Sequence, residues 1–134
     1  MRDIYNKELE LLNQELTEMG ELCSKAISLV SSAFESRDGS IAASAAVLDR
    51  EIDRKERNIE ALCIKLLLKQ QPVAGDLRHI SAALKMITDM ERIGDQAEDI
   101  AEIIPYLGDR KAMGQEKISS MITAACGMVR DSVT

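Results

Sequence analysis

The chain is predicted to be all-α, an antiparallel three-helix bundle of long helices followed by the beginning of a fourth, and three observations carry that prediction. Apolar residues recur in alternating steps of four and three, the signature of a helical seam, over most of the chain. The stretches that carry this pattern are parted by short breaks, Arg37-Asp38-Gly39-Ser40 and Gln71-Pro72. The composition, 46% apolar and 30% charged with only three aromatic residues, fits a helix-rich protein whose core is Leu, Ile, Ala and Met. A length of 134 residues is one typical domain, enough to enclose a core. Residues 1–106 are read as the three-helix unit, and 107–134 as a connection and an incomplete further helix.

The first helix is expected from about Asp3 to Glu35. Tyr5, Leu9, Leu12, Leu16, Met19, Cys23, Ala26, Val30 and Ala33 form a heptad seam along it. The glycine and serine that follow supply an exit and an N-cap. The second helix is expected from about Ile41 to Gln70, with a seam of Ile41, Ala45, Leu48, Ile52, Lys55, Ile59, Leu62 and Leu66. Lys55 is its one polar intruder. Asp49, Asp53, Glu56 and Glu60 form a stripe beside this seam, roughly 90–100° from its centre at 100° per residue. The third helix is expected from near Pro72 to about Tyr106, on a seam of Ile80, Ala83, Ile87, Met90, Gly94, Ala97, Ala101 and Ile104. Gly94 costs about 1 kcal/mol against Ala in a helix, so its place on the seam predicts a close approach of helices beside Asp95. On the flank of that seam Leu77 and Leu84 give way to Glu91 and Glu98. Arg78, Lys85 and Arg92 make a basic line on the far side, either a solvated face or a docking strip.

After the turn-rich stretch 107–114, Ile118, Met121, Ile122, Ala125 and Val129 start a fourth apolar pattern, with no glycine stop, proline or charged cap to close it. A half-helix with a bare apolar face is expected to be covered, by a continuation of the chain or by a second copy in a homo-oligomer.

The charged residues point to a site. Asp49/Asp53 and Glu91/Asp95 each have an i, i+4 spacing, which puts both carboxylates of a pair on one helix face. Counted from Gln71, Asp49 and Asp53 lie 22 and 18 residues back, Glu91 and Asp95 20 and 24 forward. Helices folded back at that break bring the four acids to one level, where they repel unless something cationic sits among them. Carboxylate oxygens on facing helices suit hard cations such as iron(III), manganese, magnesium or calcium, and tolerate zinc. The alternative is a salt-bridged surface neutralised by Arg50, Arg54 and Arg92.

Other classes fare worse. A net charge of −6 argues against binding to nucleic acid. No stretch reaches the roughly 20 apolar residues of a membrane span, and the N-terminus has no signal-peptide pattern. Cys23, Cys63 and Cys126 fall among apolar positions and read as buried thiols of a reducing cytoplasm. Di-metal oxidases use two Glu-x-x-His motifs, whereas this chain has a single histidine. The near match at Asp76–His79 begins 15 residues before Glu91, about 20 Å along a helix, too far to join the acids.

DREIDRKERNIEALCIKLLLKQQP followed by VAGDLRHISAALKMITDMERIGDQAEDIAEI resembles the PhoU family of phosphate-uptake regulators. The Gln-Gln-Pro turn, the Asp-Leu-Arg start and Glu-Arg-Ile-Gly-Asp occur together and in order. The resemblance is dense from Asp49 to Ile103. It implies tandem three-helix repeats, of which this chain has one and the start of another. It also implies a cytoplasmic, non-enzymatic regulator that acts with the ATPase subunit of the Pst phosphate transporter and with a membrane sensor histidine kinase, touching the membrane only through those partners. Such regulators keep phosphate-starvation genes repressed. The family's metal motifs fall on Asp49, Asp53, Glu91 and Asp95, with Asp99 one turn further on. Iron or zinc is the implied metal, with manganese, magnesium, calcium or nickel also compatible. The competing readings are a structural interaction bundle without metal and, furthest from the residues, a carboxylate metal enzyme.

Overall fold

The computed structural model describes residues 2–36, 39–69 and 74–106. Three helices account for almost all of them: α1 (Arg2–Ser36), α2 (Ala42–Lys69) and α3 (Ala74–Ile103). A 3-10 turn, Gly39–Ile41, leads into α2, so Ser40 sits inside a turn instead of next to the first α-helical residue. A second 3-10 turn, Ile104–Tyr106, ends α3 three residues before the expected stop. Pro105 explains that ending, because it has no N–H to donate and turns Ile104 away from the α conformation. The described residues contain no strand. The expected break at Gln71-Pro72 and the fourth apolar pattern lie outside them.

Side-chain contacts fix how the helices run. On α1 and α2, Glu8 meets Lys65 while Glu15 and Glu18 meet Lys55. The partner's number falls as the first rises, so the two helices are antiparallel. On α1 and α3, Asn13 meets His79 and Cys23 meets Met90, and both numbers rise together. These helices are therefore parallel, which makes the bundle up-down-up.

The predicted seams form the core. All eight residues of the third seam are buried, the last of them, Ile104, in the 3-10 turn after α3. On α1 the seam is buried except for half-buried Leu9, and Ile27 and Phe34 widen it. Seam width follows from the bundle itself, since each helix must face two others at once. On α2 the buried line runs through Ile41, Ala45, Ile52, Ile59, Cys63 and Leu66, while Leu48 and Leu62 are only half-buried. Cys63 belongs to this line although the seam passed it by. The buried face of α2 is thus turned towards its acidic stripe, and Asp49 goes into the interior with it.

Lys55 occupies its seam position by reaching out to α1, where its ammonium donates to both Glu15 and Glu18. Burial alone would lower its pKa, but the two carboxylates outweigh that and raise it. Cys23 and Cys63 are buried free thiols. Burial pushes Cys23 up to about 12, and burial with the nearby Glu60 charge pushes Cys63 up to about 11. Neither is a nucleophile at neutral pH. Cys126 lies outside the described residues.

Candidate metal centre

The acids sit where α2 and α3 face each other. Asp49 and Asp53 are one turn apart on α2, and Asp95 projects from α3 at the same level, because the two helices return antiparallel. One carboxylate oxygen from each of these three residues lies within 4.8 Å of the other two. Asp49 is only 8% exposed, while Asp53 and Asp95 are half-buried.

Gly94 makes this approach possible. A Cβ at that position would stand 2.9 Å from Asp49 Oδ1 and 3.0 Å from Ile52 Cδ1. The backbone of α3 is thus laid against the carboxylate of Asp49, in the place where any other residue would set a methylene. The close contact expected from a glycine on the seam is present.

Two oxygens of the trio are starved. Asp49 Oδ1 and Asp53 Oδ1 are buried and have no hydrogen-bond partner. The arginines do not neutralise them: Arg50, Arg54 and Arg92 are exposed, and no ion pair found among the described residues includes a member of the trio. Arg57 acts only through its charge on Asp53 and Glu56.

The acids titrate accordingly. Burial, then Glu98 and Asp95 within hydrogen-bonding reach, then the Asp53 charge push Asp49 up to about 8. Glu91 is raised to about 7, first by its hydrogen bond with Asp95 and then by burial and neighbouring charge. Asp53 is raised by burial and by the charge of Asp95, with Arg57 opposing. Glu56 is raised by burial and by Asp53 and Glu60. A group of carboxylates that resist ionisation together, with unpartnered oxygens at its centre, is a place that a cation would stabilise.

Of the five residues named from sequence, Asp49, Asp53 and Asp95 form the trio, and Glu91 adjoins it through Asp95. Asp99 is exposed and stands outside the group. Each step of four along a helix turns 40° further, so after Glu91 and Asp95 the next step has left the face that meets α2. Glu98, half-buried on α3, is instead among the groups that raise Asp49. Sequence reading placed it on the flank of the third seam, and the signal for its influence on Asp49 is the i+3 step from Asp95. The donor set is all oxygen, hard and acidic, and fits a hard cation better than a site for a soft one. His79 takes no part; its Nε2 pairs with Asn13 Oδ1 at 2.7 Å, joining α1 to α3.

The chain is similar in sequence and fold to known proteins. The PhoU domain family matches residues 16–104. The phosphate-specific transport system accessory protein PhoU homolog of Clostridium acetobutylicum is 37% identical over 98% of this chain and 61% of its own length. The homolog from Aquifex aeolicus is 35% identical over 95% of the chain and 58% of its own length. The crystal structure of PhoU from Pseudomonas aeruginosa superposes with a TM-score of 0.86 at 31% identity, covering 94% of this chain and 61% of that one. The chain spans about three fifths of the length of these relatives.

Proposed function

The chain belongs to the PhoU family, and on that premise we propose that it regulates phosphate uptake and phosphate-starvation signalling through protein contacts and a carboxylate-bound metal ion. The relatives are named as accessory proteins of a phosphate-specific transport system, which supports a place beside the transport machinery. The partners in this proposal are the transporter's ATPase subunit and a sensor histidine kinase, met in the cytoplasm, with repression of starvation genes as the output. None of the described helices is long and apolar enough to cross a membrane; in this proposal contact with it passes through those partners. Enzymatic activity forms no part of this reading. Residues 107–134 are proposed to join two copies through Ile118, Met121, Ile122 and Ala125, and a monomer in sedimentation at high concentration would refute that.

The observation that carries the metal reading is Asp49, almost wholly buried with an oxygen that no donor meets, among two further carboxylates on facing helices. Asp49, Asp53 and Asp95 would hold the ion, and Glu91 would stay beside them through Asp95. A bound cation supplies compensating charge, letting the acids ionise and drawing α2 and α3 together. Metal content per chain, measured by plasma mass spectrometry on untagged protein, tests this. Near-stoichiometric metal that disappears in Asp49→Ala/Asp95→Ala is expected. No metal after loading with iron and zinc would leave a structural interaction bundle. Co-purification with the ATPase subunit and the kinase, in wild type and double variant, tests the regulatory half separately.

A further inference from the structure

We propose that an amphipathic helix of a partner protein, its apolar face edged with Asp and Glu, docks in the groove between α2 and α3. This rests on the regulatory reading above and names the surface that its protein contacts use. Asp49, Asp53 and Asp95 converge, so the lines they occupy along the two helices face this groove. Leu67 lies 18 residues after Asp49 and Leu77 18 before Asp95, about five full turns in each case. Ile64 lies 11 after Asp53 and Leu84 11 before Asp95, three turns with about 20° of drift. Equal steps along antiparallel helices put Leu67 level with Leu77, and Ile64 level with Leu84. The groove that encloses Asp49 is therefore apolar further along, and there it is open. Ile64, Leu67 and Leu77 are exposed, and Leu84 is only half-buried. Leu68, next to Leu67, is 81% exposed, the highest value among the exposed large apolar residues described. An apolar line of this kind between two helices takes the i, i+3, i+4 and i+7 anchors of a third.

A row of cations sets the chemistry of that helix. Arg78 and Lys85 each follow a groove leucine by one residue, which turns them about 100° outward onto the rim, and Arg92 continues the row. All three are exposed, and none has a hydrogen bond or ion pair among the described residues. Asp89, between Lys85 and Arg92, offsets at most one of the three charges. The complement is an acidic edge beside an apolar face. On α2 the acids begin one turn before Ile64, at Glu60. A docked helix can stop short of them, whereas an anionic membrane pressed on this face would meet them. Residues 115–134 carry two acids and two bases, Glu116, Asp131, Lys117 and Arg130, and so do not match the row.

The experiment measures binding of the full chain to the purified ATPase subunit and to the cytoplasmic part of the kinase by biolayer interferometry. Ile64→Ser/Leu68→Ser is expected to weaken one of these contacts by about tenfold or more, as the loss of interface anchors does. Arg78→Glu/Lys85→Glu is expected to weaken the same contact by about tenfold and to flatten its dependence on salt. Leu11→Ser/Val47→Ser is the control and is expected to bind as wild type. Both residues are 44% exposed, but Leu11 is on α1 and Val47 is turned about 200° from Asp49 on α2. A photo-crosslinker in place of Leu68 is expected to mark a segment with helically spaced apolar residues and acids beside them. Equal losses in the control variant would overturn the proposal, and so would a marked segment without acids. Unchanged binding in both groove variants would overturn it while leaving the regulatory reading standing. No binding of the wild type to either protein would overturn both. Adhesion to phosphatidylglycerol vesicles that Ile64→Ser/Leu68→Ser abolishes, with protein binding intact, would overturn it in favour of a membrane face. A dimer in sedimentation that the same variant dissolves would overturn it in favour of a second copy.

Discussion

Gly94 shows how much one missing side chain can decide. In an isolated helix Gly94→Ala would gain about 1 kcal/mol. Here the new methyl would meet the buried Asp49 Oδ1 and the fully buried Ile52, both inside normal contact distance. Overpacking of this kind costs about 1–3 kcal/mol, so the expected net effect is a loss of roughly 1 kcal/mol, read as a lower urea midpoint. Metal uptake should fall with it, because the displaced atom belongs to the site. An Ala variant as stable as wild type would mean that α2 and α3 are free to part. At the same scale, Asp49 was marked from sequence as one of a stripe of acids bordering the core. Its burial could not be read there, because the stripe fixes an angle about α2 and not the direction from which α3 arrives.

At the scale of the helices, polar contacts on and beside the seams are the joints. Lys55 stands where the heptad asks for an apolar residue, and it ties α2 to Glu15 and Glu18 on α1. Lys65–Glu8 and His79–Asn13 add joints towards the other end of the bundle. The Lys55–Glu15 pair is mostly sheltered, with 22% of each side chain exposed. Lys55→Ala is therefore expected to cost about 1 kcal/mol through that pair, near the upper end for such contacts. Glu15→Ala added to Lys55→Ala should cost little more, and additive losses in urea unfolding would show that the two do not act as a unit. The seams themselves were legible because burial on a helix repeats with the helical period. Their exact centre on α2 was not, since Leu48 and Leu62 satisfy the period as well as Cys63 does.

Taken whole, the molecule carries a pH dependence set by its acids. A carboxyl whose native pKa is raised lends stability that is complete below its unfolded value and is lost as pH rises through the native one. Asp49 moves from 3.8 to about 8 and Glu91 from 4.5 to about 7. The metal-free chain should thus melt higher near about pH 5 than near about pH 8.5, with Asp49→Asn flattening the difference. A cation that binds only the folded state should restore what is lost at the higher pH. Equal melting temperatures across that range in the presence of chelator would show that the acids are solvated. Ile64, Leu67 and Leu68 on α2 and Leu77 on α3 are exposed apolar residues, and along α3 Leu77 and Leu84 give way to Glu91 and Glu98 at heptad spacing.

The sequence by itself determined the fold class, the three helices to within a few residues at each end, the level at which the acids meet and the family. Each of these follows from spacing along one chain, which a helix converts directly into angle and height. Tertiary structure alone decided which acids come together. Asp95 meets Asp49 and Asp53 while Asp99 is exposed, Asp49 is enclosed while Glu60 stays outside, and Gly94 sets how near the helices come. Those outcomes depend on where one helix lies against another, a quantity that no period within either helix contains.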